Sequence, residues 1–442
     1  MILALILCFI IGYTLIVFEH PLRLDKSVPA LLMGSLSWAI ISLGDLDVVS
    51  HDHTIGEMEP VLLHHVGKIA EILLFLMGAM TIVEFVDIHK GFKVITDRIK
   101  TTEKRTMLWI ILALSFFMSA ALDNLACTIV LVSLLRKLVP DREERLWFVS
   151  LAVIGANAGG AWSPIGDVTT TMLWIGKKVS TVGLIVHLII PSLVCVVIPG
   201  IICSFLPAFR GKITPRVVKA GDVQDRQLKT SKIILFAGLG GLLFVPVFKA
   251  ITHLPPYMGI MLSLGVVWLL SEYLLSKTDQ DDETKFHLTV NYALSRIEMT
   301  SIIFFLGILS AVTALESAAV MNAAGHQVGL LSLAAEKLNV AIPSTNMVVL
   351  ILGVFSAIID NVPLVAATMG MYTLPIDDKI WHFIAYSAGT GGSMLIIGSA
   401  AGVAAMGMER INFIWYLRNI TWIAALGFFS GAIVFIIQSS FF

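Results

Sequence analysis

Two runs in this chain set the same pair of polar residues into long apolar stretches. Ser119-Ala-Ala-Leu-Asp-Asn-Leu125 and Ser356-Ala-Ile-Ile-Asp-Asn-Val362 place Asp123 beside Asn124 and Asp360 beside Asn361, 237 residues apart. Asp is among the costliest residues to put in hydrocarbon, and one found there usually marks an ion or substrate path. A carboxylate next to an amide offers oxygen ligands to a hard cation, or a resting place for a proton. The pair recurring in the same local sequence points to a duplicated fold with one half-site from each copy.

A second element also recurs. Gly155-Ala-Asn-Ala-Gly-Gly-Ala-Trp-Ser-Pro-Ile-Gly-Asp-Val-Thr-Thr-Thr171 and Ser387-Ala-Gly-Thr-Gly-Gly-Ser-Met-Leu-Ile-Ile-Gly-Ser399 both interrupt apolar spans. Aligning Gly159-Gly160 with Gly391-Gly392 also brings Gly166 onto Gly398 and Asp167 onto Ser399. Glycine and proline free the backbone from helical geometry. The freed carbonyls and neighbouring Asn, Ser, Thr and Asp oxygens can then bind a cation, with broken helix ends adding dipoles of either sign. One such span alone is as often a helix-packing surface, and one buried Asn is often just an interhelical hydrogen bond. Both features recurring in the same order favour a site. Asp167 stands out because its counterpart Ser399 is uncharged, which makes the first half-site the candidate for ion binding.

The elements that must position these groups follow from composition. The chain has 442 residues, 57% hydrophobic and 14% charged, against roughly 25% charged in soluble domains. The expected class is an all-α polytopic membrane protein. Net charge is −1, a total that says nothing of partners, and the four cysteines lie in apolar stretches without metal spacing; no nucleic-acid partner and no cofactor is expected. A span needs about 20 mostly apolar residues. Ten candidates are found: 2–18, 27–44, 68–87, 146–177 (interrupted), 183–206, 231–250, 257–274, 297–320, 380–408 (interrupted) and 414–437. The first is read as a retained span, not a cleaved leader. Segments 106–139 and 345–374 hold the Asp-Asn pairs near their centres and read as re-entrant hairpins, whose tips are tolerable at mid-depth only inside protein or water.

With the N- and C-termini outside, on the periplasmic face of the inner membrane, 24 of the 30 lysines and arginines fall in cytoplasmic segments, as the positive-inside rule requires. Hairpin 106–139 then opens to the cytoplasm and hairpin 345–374 outward. Residues 1–208 and 231–442 become two inverted-topology repeats, each of five transmembrane helices (one interrupted) plus one re-entrant hairpin, joined by a cytoplasmic linker 209–230. Pieces 91–100 and 322–338 read as interfacial helices. Glu71, Glu84, Glu298 and Glu316 lie near span ends and read as structural or interfacial. His51, Asp52 and His53 read as solvated loop residues.

In this threading no Lys or Arg falls at the centre of a span, while Asp123, Asp167 and Asp360 do. The interior therefore suits a small cation better than an anion. A desolvated carboxylate holds a proton or a metal ion but not both comfortably, and that competition is a sufficient mechanism for exchange. No His-Glu-x-x-His motif or spaced nucleophile–base pair suggests an enzyme.

The runs 119–139, 155–176 and 356–367 resemble the NhaD-type sodium/proton antiporters of the ion transporter superfamily, and the resemblance covers nearly the whole chain. It implies exchange of cytoplasmic Na⁺ or Li⁺ for external H⁺ through an elevator-like cycle, with a homodimeric static part embedded in the bilayer. It implies Asp123, Asn124, Asn157, Asp167, Thr169 and Thr170 as ion-site residues, with Na⁺ at Asp123, Asn124, Asn157, Asp167 and Thr169. Ser163 would complete the oxygen shell. By pseudo-symmetry it also points to Asp360, Asn361, Thr390, Ser393 and Ser399. Dicarboxylate members of the superfamily carry Ser-Asn-Thr at the hairpin tips; this chain has Asp-Asn-Leu and Asp-Asn-Val. An arsenite or organic-anion permease of the same superfamily is the alternative.

Overall fold

The computed structural model describes residues 1–442 except 51–53, 97, 100, 214–229, 278–285, 323–324, 343, 359 and 442. His51, Asp52, His53 and most of the expected linker therefore lie outside the described residues. The chain is an integral multi-pass membrane protein. Seven described helices are long and apolar enough to cross a bilayer, and shorter apolar helices include Ile2–Val17 and Ser27–Leu43. Their apolar residues surround the helix, since one face meets the core and the other meets lipid. Pro191, Pro199 and Pro246 sit inside long helices, where membrane packing absorbs the lost hydrogen bonds.

The packing falls into two bodies. In one, Ser27–Leu43 lies against Met299–Ser317 and Ile2–Val17, while Pro256–Ser276 lies against Met58–Ile88 and Ser231–Thr252. Each half of the chain thus lends its third helix to the first two of the other. In the other body, Lys104–Leu122 packs on Arg142–Ala161 and Thr345–Phe355 on Lys379–Gly391. The closing helices Thr181–Phe205 and Thr421–Gln438 pack on each other.

The Asp-Asn segments are helix–break–helix units: Lys104–Leu122 with Asn124–Leu138, and Thr345–Phe355 with Asn361–Met371. The first folds back on itself, because the Cys127 thiol reaches the carbonyl of Ser115 at 3.6 Å; twelve residues of straight helix would separate them by about 18 Å. The glycine-rich spans break into Arg142–Ala161 and Val168–Ile175, and into Lys379–Gly391 and Ala400–Glu409.

Several details differ from the sequence reading. The third span begins at Met58 rather than 68, with Pro60 in the first turn, where a missing N–H costs nothing. Among the described residues two short β-ribbons interrupt the all-α plan: Val48–Val49 with Ile55–Gly56, and Ala319–Met321 with Gln327–Gly329. An isolated bridge from Val48 to Ala318 links them. Among the described residues of piece 91–100 only Lys93–Thr96 is helical, whereas the described part of piece 322–338 holds the strand Gln327–Gly329 followed by the helix Leu330–Ala341. The last span is divided at Ile420 into Phe413–Asn419 and Thr421–Gln438.

Candidate functional site

The two helix breaks and the two hairpin tips are held together by the same contacts in each half. The Ser119 hydroxyl donates to the carbonyl of Ala156 at 2.6 Å; the Ser356 hydroxyl donates to that of Ala388 at 2.7 Å. A Cβ on Gly159 would overlap the carbonyl oxygen of Phe116, and one on Gly391 would overlap that of Gly353. A Cβ on Gly166 would stand 3.0 Å from Cα of Ala120, and one on Gly398 2.7 Å from Cα of Ala357. Only glycine admits backbones this close. Each tip is thereby pinned against the broken helix of its own half.

At the junction of the halves the polar groups converge on Asp167. The carboxylate is 2% exposed and caps the helix Val168–Ile175. Its Oδ1 accepts from the Thr169 amide at 2.9 Å and the Thr169 hydroxyl at 3.0 Å. Its Oδ2 accepts from the side-chain amides of Asn124 at 2.8 Å and Asn361 at 3.3 Å, one from each tip. A buried charge is tolerable when its hydrogen-bonding capacity is met in this way. Asn157, fully buried, accepts from Asn124 at 3.1 Å and donates to the hydroxyls of Ser393 and Ser399, both at 2.9 Å. Six of the sequence-derived residues (Asn124, Asn157, Asp167, Asn361, Ser393 and Ser399) thus share one network, with Thr169 attached.

The other candidates are placed differently. Asp123 turns the first tip, and its Oδ1 accepts from the Ala126 amide at 2.8 Å. Asp360 plays the same part at the second tip, accepting from the Val362 amide at 3.2 Å. Asp123 is repelled by Asp167, and Asp167 by Asp360, so the three acids share one electrostatic neighbourhood. Ser163, Thr170 and Thr390 donate their hydroxyls to backbone carbonyls of Ala120, Asp167 and Tyr386, at 2.6, 2.9 and 2.6 Å. Those bonds brace the broken segments.

One reading needs correction. The sequence left three central acids without a positive partner, but the Lys26 ammonium lies 3.0 Å from Asp360 Oδ2. Lys26 immediately precedes the apolar run from Ser27, so counting it as a cytoplasmic charge hid it. Glu84 is likewise taken up, by Arg296, whose guanidinium also holds Asp87 at 3.0 Å.

Two further features frame the site. Between Met58–Ile88, Val168–Ile175, Met299–Ser317 and Asn361–Met371 lies a cavity of about 700 Å³ whose polar lining includes His64, Lys68, Glu71, Lys177, Lys178 and Glu316. At the far ends of the broken helices, buried Glu409 binds Arg136 at 2.6 Å and Arg145 at 2.9 Å. Arg142 adds bonds to the carbonyls of Glu409 and Arg410. This clasp joins the second arm of the first hairpin and the start of the first broken helix to the end of the second. By sequence alone Arg136, Arg142 and Arg145 count only as basic residues; their common partner in the Glu409 segment comes from the fold.

Comparison with known proteins follows the same direction. The family whose profile is described as "Citrate transporter" matches residues 13–377. Sodium/proton antiporter 1 of Arabidopsis thaliana is 46% identical over 432 residues, 97% of this chain and 71% of that relative. Sodium/proton antiporter 2 of the same plant is 43% identical, over 98% of this chain and 99% of the relative. The Na(+)/H(+) antiporter NhaD of Alkalimonas amylolytica is 30% identical, over 94% and 85%.

Proposed function

Because this chain belongs to the NhaD-type sodium/proton antiporters within the citrate transporter family, we propose that it exchanges Na⁺ for H⁺ across a membrane, with Asp167 and Asp123 as the shared carboxylates. The observation that carries the reading is the convergence of amides from both hairpin tips on the one buried carboxylate, Asp167. A hard cation wants oxygen ligands. Asn124 and Asn361 turn their NH₂ groups to Asp167. Rotating either amide by half a turn presents a carbonyl oxygen instead. Na⁺ entering here takes Asp167 and Asp123 as anionic ligands and Asn124, Asn157 and the Thr169 hydroxyl as neutral ones. A proton on either carboxylate removes that charge and expels the ion. Li⁺, being smaller with the same ligand preference, competes for the same oxygens.

The carrier crosses the low-dielectric barrier more readily with its carboxylates offset by Na⁺ or by protons than with both bare, which couples the two fluxes. Two inverted repeats with a moving body of hairpins and broken helices, working as an elevator within a homodimer, form part of the proposal. The paired tip contacts in each half and the intertwined three-helix packing support the repeat; the resemblance supports the dimer and the movement. Outside termini, a cytoplasmic first hairpin and an inner-membrane setting rest on the distribution of basic residues.

The family description names citrate, and Lys26 does put one positive charge near the second tip. That charge is already paired with Asp360, and a polycarboxylate entering beside Asp123 and Asp167 would meet repulsion. Purified protein in liposomes with an internal pH dye tests the proposal. Added Na⁺ or Li⁺ should move protons, whereas choline should not; a pH gradient indifferent to both alkali cations sinks it.

A further inference from the structure

Lys26 stands at an unfavourable place for an ammonium. It precedes the first turn of Ser27–Leu43, where the helix dipole is positive and prefers anions. The helix is firmly seated: the Ser27 hydroxyl donates to the carbonyl of Thr300 at 2.9 Å and the Trp38 indole to that of Ser310 at 3.0 Å. From this anchored base the lysine reaches over the Phe304 ring, 4.6 Å from its centroid, to Asp360. The contact joins the helix pair Ser27–Leu43/Met299–Ser317 to the tip of the second hairpin. Beside it lies a cleft of about 50 Å³ lined by Tyr13, Glu19, Lys26, Asp360 and Ser399, among others. That volume admits a few water molecules or a small cation stripped of most of its shell, and it touches Ser399, the counterpart of Asp167.

Charge completes the comparison. The first half contributes two carboxylates, Asp123 and Asp167, with no cation bound to either among the described side chains. The second contributes one carboxylate, cancelled by Lys26, and a neutral serine. We infer that Lys26 is the resident cation of the second half-site, its ammonium holding at Asp360 the place a transported cation would otherwise take. The second hairpin then contributes to ion exchange through Asn361 alone, and Asp360 serves as the latch point for Lys26. Other charged or titratable groups facing the pair are Glu19, Asp25, Glu298, Tyr13 and Asp167; none is a second cation. The inference takes from the exchange reading only the role of the first half-site, and the ion pair can be tested without it.

The test compares wild type, K26R, K26Q, D360N and K26Q/D360N as purified full-length proteins, by melting in NaCl against choline chloride and by Na⁺-driven proton flux in liposomes. The Lys26 and Asp360 side chains are 23% and 15% exposed, and removing one partner of such a part-buried pair leaves the other uncompensated. K26Q should therefore lose about tenfold or more in exchange rate, and K26Q/D360N should recover at least half of that loss on a logarithmic scale. K26R, which keeps the charge, should stay within about threefold of wild type. Na⁺ should take over the vacated place, so NaCl should raise the melting temperature of K26Q more than that of wild type, and the excess should vanish in K26Q/D360N. Wild-type behaviour of K26Q in both assays, or an equal Na⁺ effect on K26Q and the double variant, overturns the inference. Absence of Na⁺-driven flux in wild type defeats the exchange proposal instead, and the melting comparison still decides the role of Lys26.

Discussion

At the first hairpin tip Asp123 stands at φ 82°, ψ 160°, a region that L-residues other than glycine rarely adopt, and its carboxylate has no lysine or arginine against it among the described side chains. At the second tip Asp360 has an ordinary extended backbone, φ −48°, ψ 133°, and holds Lys26. Both are flanked by an Asn that reaches the same Asp167 oxygen, and both tips are pinned by equivalent serine–carbonyl bonds. The frame is thus alike at the two tips while the electrostatics differ. A strained functional residue costs about 1–3 kcal/mol and persists because its surroundings over-determine it; here the strain falls on the tip whose carboxylate is unpaired. The broken helices repeat the lesson: Asp167 in one and Ser399 in the other cap the following helix, Asp167 accepting from the Thr169 amide and Ser399 from the Gly402 amide.

The largest effect should separate those two caps. Asp167→Asn removes the charge on which both tips converge and should reduce Na⁺-driven proton flux by about 100-fold or more, equivalent to roughly 2.7 kcal/mol. Ser399→Ala removes one hydrogen bond to Asn157 and should cost about threefold to tenfold. Comparable losses in the two would erase the claimed difference between the half-sites.

Next come the tips themselves. Asp123→Asn keeps a residue that tolerates positive φ, so it isolates charge from strain and should lower exchange by about 50-fold while leaving the melting temperature nearly unchanged. Asp360→Asn should cost less, about tenfold, as the removal of Lys26 does, because it leaves that ammonium without its partner. A more damaging Asp360→Asn would place the second tip in the exchange set after all.

Asn157 links the halves without a symmetric partner, since Gly389 occupies the aligned position. Asn157→Ala should weaken apparent Na⁺ affinity about tenfold with a smaller change in maximal rate. A fall in maximal rate alone would make it a packing residue.

Stability distinguishes the regions beyond the site. Glu409→Gln leaves Arg136 and Arg145 without their buried partner and should destabilise the protein by about 3 kcal/mol, read in thermal melting. The smallest expected effect probes the shared frame. Ser119→Ala and Ser356→Ala each delete one buried hydroxyl-to-carbonyl bond and should cost about 1 kcal/mol apiece. Near-equality of the two is the expectation; a large imbalance would show that the tips are not held alike.

The positions of the helix breaks could be read directly from residue order. Runs of apolar residues long enough for a bilayer, interrupted by Asp-Asn or by paired glycines, mark where the helices stop without knowledge of packing, because burial cost and glycine freedom are local properties. Asp123, Asp167 and Asp360 could likewise be singled out from their setting alone. Partnership could not be read in that way. That Asn157 bonds serines of the opposite half, that Ser163, Thr170 and Thr390 spend their hydroxyls on carbonyls, and that Lys26 reaches across 334 positions to Asp360 are facts of the folded chain. Hydrogen bonds and ion pairs depend on distances of a few ångströms between segments far apart in sequence, and those distances are set only when the helices pack.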